Sequence, residues 1–283
     1  MIYECHGHII LDGVSYEGAV ARHKSGVDDG FVRQNLSICA KHGVSFYRDG
    51  GDKHGVSIYA KGIAGEYGID YRTPGYIIHK KGHYGSMFGR AFEDMTDYRA
   101  LIAEAIQLGA DFIKTTASSL LDFAHGGSVT GLSLTAQELR EMANIAHGEG
   151  LAVMVHANGT ENIKRAAESG ADSIEHGYYM DSSALRIMAQ TGCVWVPTCV
   201  TAANLIGSGK YDDGVLHRIF EGHKAALIEA SRNGVPIACG SDAGAINVMQ
   251  GKGTLDELDI LKSLGIDPTR GNNMIDAVFK RIS

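Results

Sequence analysis

Six polar residues, His6, His8, Lys114, His156, His176 and Asp242, each close or directly follow a short apolar run: YECHGH, ADFIKT, LAVMVH, ADSIEH and VPIACGSD. Together they offer four imidazoles, one carboxylate and one amine. That set suits Zn²⁺ or a similar first-row ion better than Mg²⁺ or Ca²⁺, which prefer oxygen ligands throughout. Two such ions held side by side stabilise a hydroxide at neutral pH and polarise a carbonyl or phosphoryl oxygen.

Each member also has a plainer reading. In His6-Gly7-His8 the two histidines stand at i and i+2, so in a strand both rings face one side; the alternative is a polar strand end. Lys114 sits inside an apolar run, where an unpaired ammonium is costly to bury. As an ammonium it repels cations and is expected in a salt bridge at a barrel mouth. Carboxylated by CO₂, it becomes an anionic carbamate whose two oxygens can bridge two ions. His156 and His176 close consecutive runs 20 positions apart, the length of one β-α unit; otherwise they are core or surface histidines. Asp242 near two cations stays ionised, ligates one of them and can take a proton from a bound water.

The elements that would hold these residues recur along the chain. An amphipathic helix ends in glycine and a strand follows at once, at Gly43, Gly109, Gly150, Gly170, Gly192 and Gly234. The strands are nearly continuous apolar runs, as in a parallel sheet covered on both faces. Adding YECHGHI and IDYRTPGYII gives eight strands, with helices at about 30–43, 54–66, 97–108, 135–148, 159–169, 181–191, 213–233 and 254–264. Thr135 and Glu138 have capping-box spacing. This pattern predicts an α/β chain folded as one (β/α)₈ TIM barrel over residues 1–283, with the metal site at the C-terminal ends of the strands. Long βα loops are expected at about 79–96, 116–134, 199–212 and 243–253.

The bulk properties narrow the partners. The net charge of −7 disfavours a nucleic-acid or anionic membrane surface, and no apolar run approaches the ~18–20 residues of a membrane span. The N-terminus turns polar at once, unlike a signal peptide. Five cysteines form no close pair, and Cys5, Cys193 and Cys239 lie in apolar runs. A reducing, cytoplasmic setting and a small-molecule substrate are therefore expected, and a homo-oligomer is compatible with the sequence. There is no His-Glu-x-x-His, Gly-x-Ser-x-Gly, Walker-type or Gly-x-Gly-x-x-Gly segment.

The segments CHGHI, GVSFYRDGG, GADFIKTTAS, VHANG, SIEHG, VPT and GSDAG, in this order, resemble the amidohydrolase superfamily. The similarity is to its binuclear subtype with a carboxylated lysine, in the prolidase and Xaa-dipeptidase-like branch. It implies His6, His8 and Asp242 at one ion, His156 and His176 at the other, and Lys114 bridging them. It further implies hydrolysis of an amide by a hydroxide held between the ions, with Asp242 as catalytic acid/base. Many members of that branch carry a small β-sandwich, which is expected to be absent here. Dipeptide-cleaving members often have an aromatic residue or histidine where this chain has Asn158, which weighs against dipeptidase activity. His83 resembles a Gly-Gly-His segment that touches substrate, or is a solvated loop histidine. Arg48 holds a substrate carboxylate or pairs with a neighbouring acid. Tyr178 lines the pocket or packs on the rim. A lactone, a cyclic amide or a phosphotriester would suit the same ligands. A mononuclear deaminase fits less well, since those relatives lack the lysine and use His-x-x-Glu, whereas Ala-Asn-Gly-Thr follows His156. A non-catalytic metal-binding scaffold is the alternative from another class, although such proteins usually lose ligands.

Overall fold

The computed structural model describes residues 1–126 and 129–280; Gly127 and Ser128, within the expected loop 116–134, lie outside the described residues. All pairings between the named strands are parallel. One sheet orders β1 (Ile2–Gly7), β2 (Val44–Asp49) and β3 (Asp70–Arg72). The second runs β5 (Gly89–Phe92), β4 (Ile77–Lys80), β6 (Ile113–Thr116), β7 (Val153–Ala157), β8 (Ser173–His176) and β9 (Val194–Val196). With helices between the strands, the fold is α/β of TIM-barrel-like type.

Two strands depart from the sequence expectation. The expected third strand is broken into β3, which pairs with β2, and β4, which pairs with β6. Pro74 lies between them and has no amide to give to a ladder. Within the expected loop 79–96, β5 pairs with β4. The expected eighth strand makes only isolated bridges, Trp195 with Ile237 and Gly7 with Ala243. It still joins the two sheets: Trp195 N donates to Pro236 O (2.8 Å), Cys5 N to Cys239 O (2.9 Å) and Asp242 N to His6 O (2.7 Å).

The helices follow their caps. They are α1 (Tyr16–Ala21), α2 (Asp29–Lys41), α3 (Val56–Ile63), α4 (Met95–Gln107), α5 (Ala136–Gly148), α6 (Thr160–Glu168), α7 (Ser182–Thr191), α8 (Val200–Ala203), α9 (Asp213–Arg232), α10 (Lys252–Ser263) and α11 (Thr269–Val278). Asp28, Asp94, Asp181 and Asp212 accept first-turn amides, and Thr135 with Glu138 completes the capping box. Gly43 (φ 81°) and Gly192 (φ 73°) stop helices in the left-handed region, where a side chain would be strained. The short α1 and α8 and the ten-residue α11 were not anticipated.

A broad apolar layer lies between the second sheet and its helices, around Ile102, Ile113, Met142, Ile163, Met188 and Leu227. A separate cluster fills the interior on the N-terminal side of the strand-end polar residues. There Cys5, Phe46, Phe112, Met154 and Val196 meet Ile275 and Phe279 from the end of the chain. The opposite ends carry the polar residues. No helix among the described residues is long and apolar enough to cross a membrane. All five cysteines are free and buried.

Candidate metal centre

β1 brings His6 and His8 to its C-terminal end, both buried. Asp242 arrives on the segment beside β1 with a left-handed backbone (φ 59°). His6 Nε2 and His8 Nε2 each lie 3.7 Å from Asp242 Oδ1. These three residues can present ligand atoms that all lie within 4.8 Å of one another. Gly50 makes room for His8: a Cβ there would stand 2.3 Å from His8 Cε1.

Lys114 reaches the same point from β6, with Nζ 3.4 Å from His6 Nε2. His156, from the end of β7, and His176, from the end of β8, have ring centroids 4.6 Å apart, and the His176 ring lies 4.9 Å from that of His6. His156 Nε2 is 3.1 Å from Ser119 O, and His176 Nδ1 is 2.8 Å from Thr198 Oγ1. So His6, His8 and Asp242 form a tight triad, while His156 and His176 form an adjacent pair engaged with the loops above β6 and β9.

The strand register explains how His176 gets there. His156 pairs with Glu175 and Ala157 with His176. By strict alternation His176 would face the helices. Its backbone is left-handed instead (φ 67°). That conformation is costly for a side chain other than glycine, and it turns His176 inward beside Glu175. Trp195 Nε1 donates to His176 O at 2.9 Å and helps fix the turn.

Glu175, Thr198 and Tyr84 escaped the sequence reading. Glu175 Oε2 lies 2.6 Å from His6 Nδ1. It also accepts from Arg48 Nη2 at 2.9 and 3.0 Å and from Ser173 Oγ. The IEH spelling next to a candidate ligand was the available signal, masked by the alternation rule. Arg48 is fully buried, donates to Cys5 O at 2.6 Å, and lies over the Phe279 ring at 4.3 Å. Its place is therefore the ion pair beneath the site rather than a substrate carboxylate, since the guanidinium faces neither cavity.

Burial dominates the electrostatics. It drives His8 down to about 3 and His156 to about 4, with Lys114 adding to both, so these rings are neutral and carry a free nitrogen lone pair. His6 and His176 are likewise lowered, first by burial. Burial lowers Lys114 and raises Asp242, while each opposes the shift of the other through its charge. The Tyr84 phenol is raised by burial and by Asp242.

Two adjoining chambers open at this centre. The inner one, about 160 Å³, is lined by the triad, Lys114, Ile77, Met87 and Phe88. The outer one, about 210 Å³, is walled by Leu121, Phe123, Leu205, Tyr211 and Ile246. Tyr16, Tyr84, Leu120, His156, His176 and Asp242 line both. Asn158 and Tyr178 border the outer chamber: Asn158 Oδ1 accepts from Tyr178 N at 3.0 Å, and Tyr178 stacks on His223 with centroids 4.0 Å apart. Both readings of Tyr178, pocket wall and rim packing, describe it. His83 lines neither chamber; its neighbour Tyr84 does.

The chain is thus a parallel α/β framework with histidines, a lysine and an aspartate gathered at the C-terminal ends of its strands. A family model for the amidohydrolase family matches residues 31–278, and the chain belongs to that family. Members generally use divalent metals. Ochratoxinase from Aspergillus niger is 26% identical over 212 residues, which is 73% of this chain and 40% of that protein's length. Its crystal structure superimposes with a TM-score of 0.74 at 20% identity, over 98% of this chain and 69% of that one. A Xaa-Pro dipeptidase with bound methionine gives 0.75 at 24% identity, over 99% and 72% of the two chains. Phenylurea hydrolase B gives 0.76 at 15% identity, over 98% and 74%.

Proposed function

We propose that this chain is a metal-dependent hydrolase that opens an amide C–N bond at the strand-end centre. One divalent ion would be held by His6, His8 and Asp242, and a second by His156 and His176 with Lys114 between them. The observation that carries this reading is the meeting of the His6, His8 and Asp242 donor atoms within 4.8 Å at the foot of an apolar chamber. Neutral imidazoles and a carboxylate fit Zn²⁺. Glu175 occupies the Nδ1 side of His6 and so leaves Nε2 for an ion. Ions bound there would supply a water of lowered pKa and an electrophilic pull on a carbonyl oxygen.

The chain's own residues do the rest. Burial favours the neutral amine of Lys114, the form that adds CO₂ to give a carbamate anion and one released proton. That converts a repelling cation into an oxygen donor. His156 Nε2 is turned to Ser119 O, so ligation by this ring uses Nδ1 or breaks that bond. Asp242 accepts a proton from the attacking water and passes it to the amide nitrogen. The new C–O bond forms at the carbonyl carbon, the C–N bond breaks, and the nitrogen leaves as an amine. Leu121, Phe123 and Leu205 give the outer chamber an apolar surface suited to an apolar substrate group. The hydrolase names of the similar proteins agree with this reading. It treats residues 1–283 as one domain forming a closed (β/α)₈ barrel, and the free cysteines fit a reducing cytoplasm.

The test is Asp242→Asn against a panel of amides, lactones and phosphotriesters, with metal content measured alongside. A fall of ~10²–10⁴ in amide turnover is expected, and full loss on chelation. Unchanged amide turnover in the variant would contradict the role of Asp242. Turnover of lactones or phosphotriesters but no amides would overturn the bond assignment.

A further inference from the structure

We infer that Tyr84 is a further catalytic residue whose phenol O–H donates a hydrogen bond to the substrate carbonyl oxygen as that oxygen gains negative charge. The inference rests on the amide reading above. Tyr84 lies between β4 and β5 and lines both chambers. Its ring centroid is 4.9 Å from that of His156. Its backbone carbonyl accepts from Thr116 Oγ1 at 2.8 Å. Thr116 stands two places beyond Lys114 on β6, so the loop carrying Tyr84 is fastened to a strand of the centre.

Among the described residues, no hydrogen bond engages the Tyr84 hydroxyl, which borders both chambers. Tyr16 also lines both chambers, and its oxygen accepts from Ile246 N at 3.5 Å. The Tyr178 hydroxyl is held by Thr198 O and Thr201 Oγ1 at 3.2 and 2.9 Å. The Asn158 amide nitrogen lies 3.4 Å from His156 Nε2. Tyr84 thus brings to the junction of the chambers, against the His156 ring, a hydroxyl with no hydrogen-bond partner among the described residues.

No proton changes hands at Tyr84. As oxygen adds to the carbonyl carbon, the π pair moves onto the carbonyl oxygen, and the phenol hydrogen bond to that oxygen strengthens. When the C–N bond breaks, the pair returns to re-form the carbonyl and the hydrogen bond weakens. A donor of this kind acts mainly on the transition state, and losing one costs ~10²–10³ in kcat.

The experiment compares zinc-loaded full-length protein with its Tyr84→Phe variant, which keeps the ring. Zinc content, thermal midpoint and methylphosphonate affinity by calorimetry are read on both. Kinetics are read on whichever amide the panel identifies. The expected result is unchanged zinc and thermal midpoint, methylphosphonate bound roughly 10–100-fold more weakly, and kcat lowered with KM little moved. Methylphosphonate affinity within twofold of wild type overturns the inference, as does a variant that loses zinc, or wild type that binds no methylphosphonate. If no amide is turned over, the amide reading fails by itself, while the methylphosphonate comparison still decides the role of Tyr84.

Discussion

The two ends of the same strands show opposite uses of one interior. Along β2, into β6 and along β7 the inward face passes from Phe46 to Arg48, from Phe112, just before β6, to Lys114, and from Met154 to His156, each within two residues. At one end, Ile275 and Phe279 seal an apolar plug. At the other, buried imidazoles and an amine crowd together with a carboxylate, and burial disfavours the charged form of each. Between them lies the Arg48–Glu175 pair, whose carboxylate reaches up to His6 and whose guanidinium rests on Phe279. The lesson is that the lower end provides stability, which the upper end consumes in holding polar groups together out of water.

Three substitutions would break or sharpen that contrast. Arg48→Met should be among the two most costly, at ~3–5 kcal/mol in unfolding free energy, because it leaves the Glu175 carboxylate without its guanidinium partner. Denaturant unfolding measures this, and a loss under ~1 kcal/mol would show that the middle layer does not couple the two ends. Phe112→Ala should cost a comparable ~3–5 kcal/mol through the cavity it leaves, yet keep its zinc affinity when assayed below its melting temperature. Weakened zinc binding in that variant would blur the two regions into one. Glu175→Gln should show the smallest effect and the reverse pattern. Metal affinity should fall ~10–100-fold, by competition with a chelator, as His6 loses its charged partner. Equal zinc affinity in Glu175→Gln would remove the link from the middle layer to the centre.

The same contrast marks what the sequence made legible. Helix positions could be read because caps and stops are local: Thr135 with Glu138, and Gly43 and Gly192 in left-handed turns, need only near neighbours. The strand-end residues could be read because polar types after apolar runs stand out. Arg48 and Glu175 could not be paired from sequence, since 127 positions separate them and only the strand arrangement brings them together. His176 and Glu175 occupy adjacent positions, and alternation allows only one to face inward; the left-handed backbone at His176 puts both there. The break between β3 and β4 was signalled by Pro74, but the pairing of β5 with β4 is a tertiary choice. His83 stood out for its resemblance to a Gly-Gly-His segment, yet it lines neither chamber, whereas its neighbour Tyr84 lines both.

The central claim is that the six strand-end residues hold two metal ions. Zinc counted per chain after chelation and reconstitution, in wild type and in His8→Ala and His156→Ala variants, tests it most directly. The account predicts two zinc ions in wild type and about one in each variant. A wild-type chain that retains no zinc, or variants that bind as much as wild type, would contradict it.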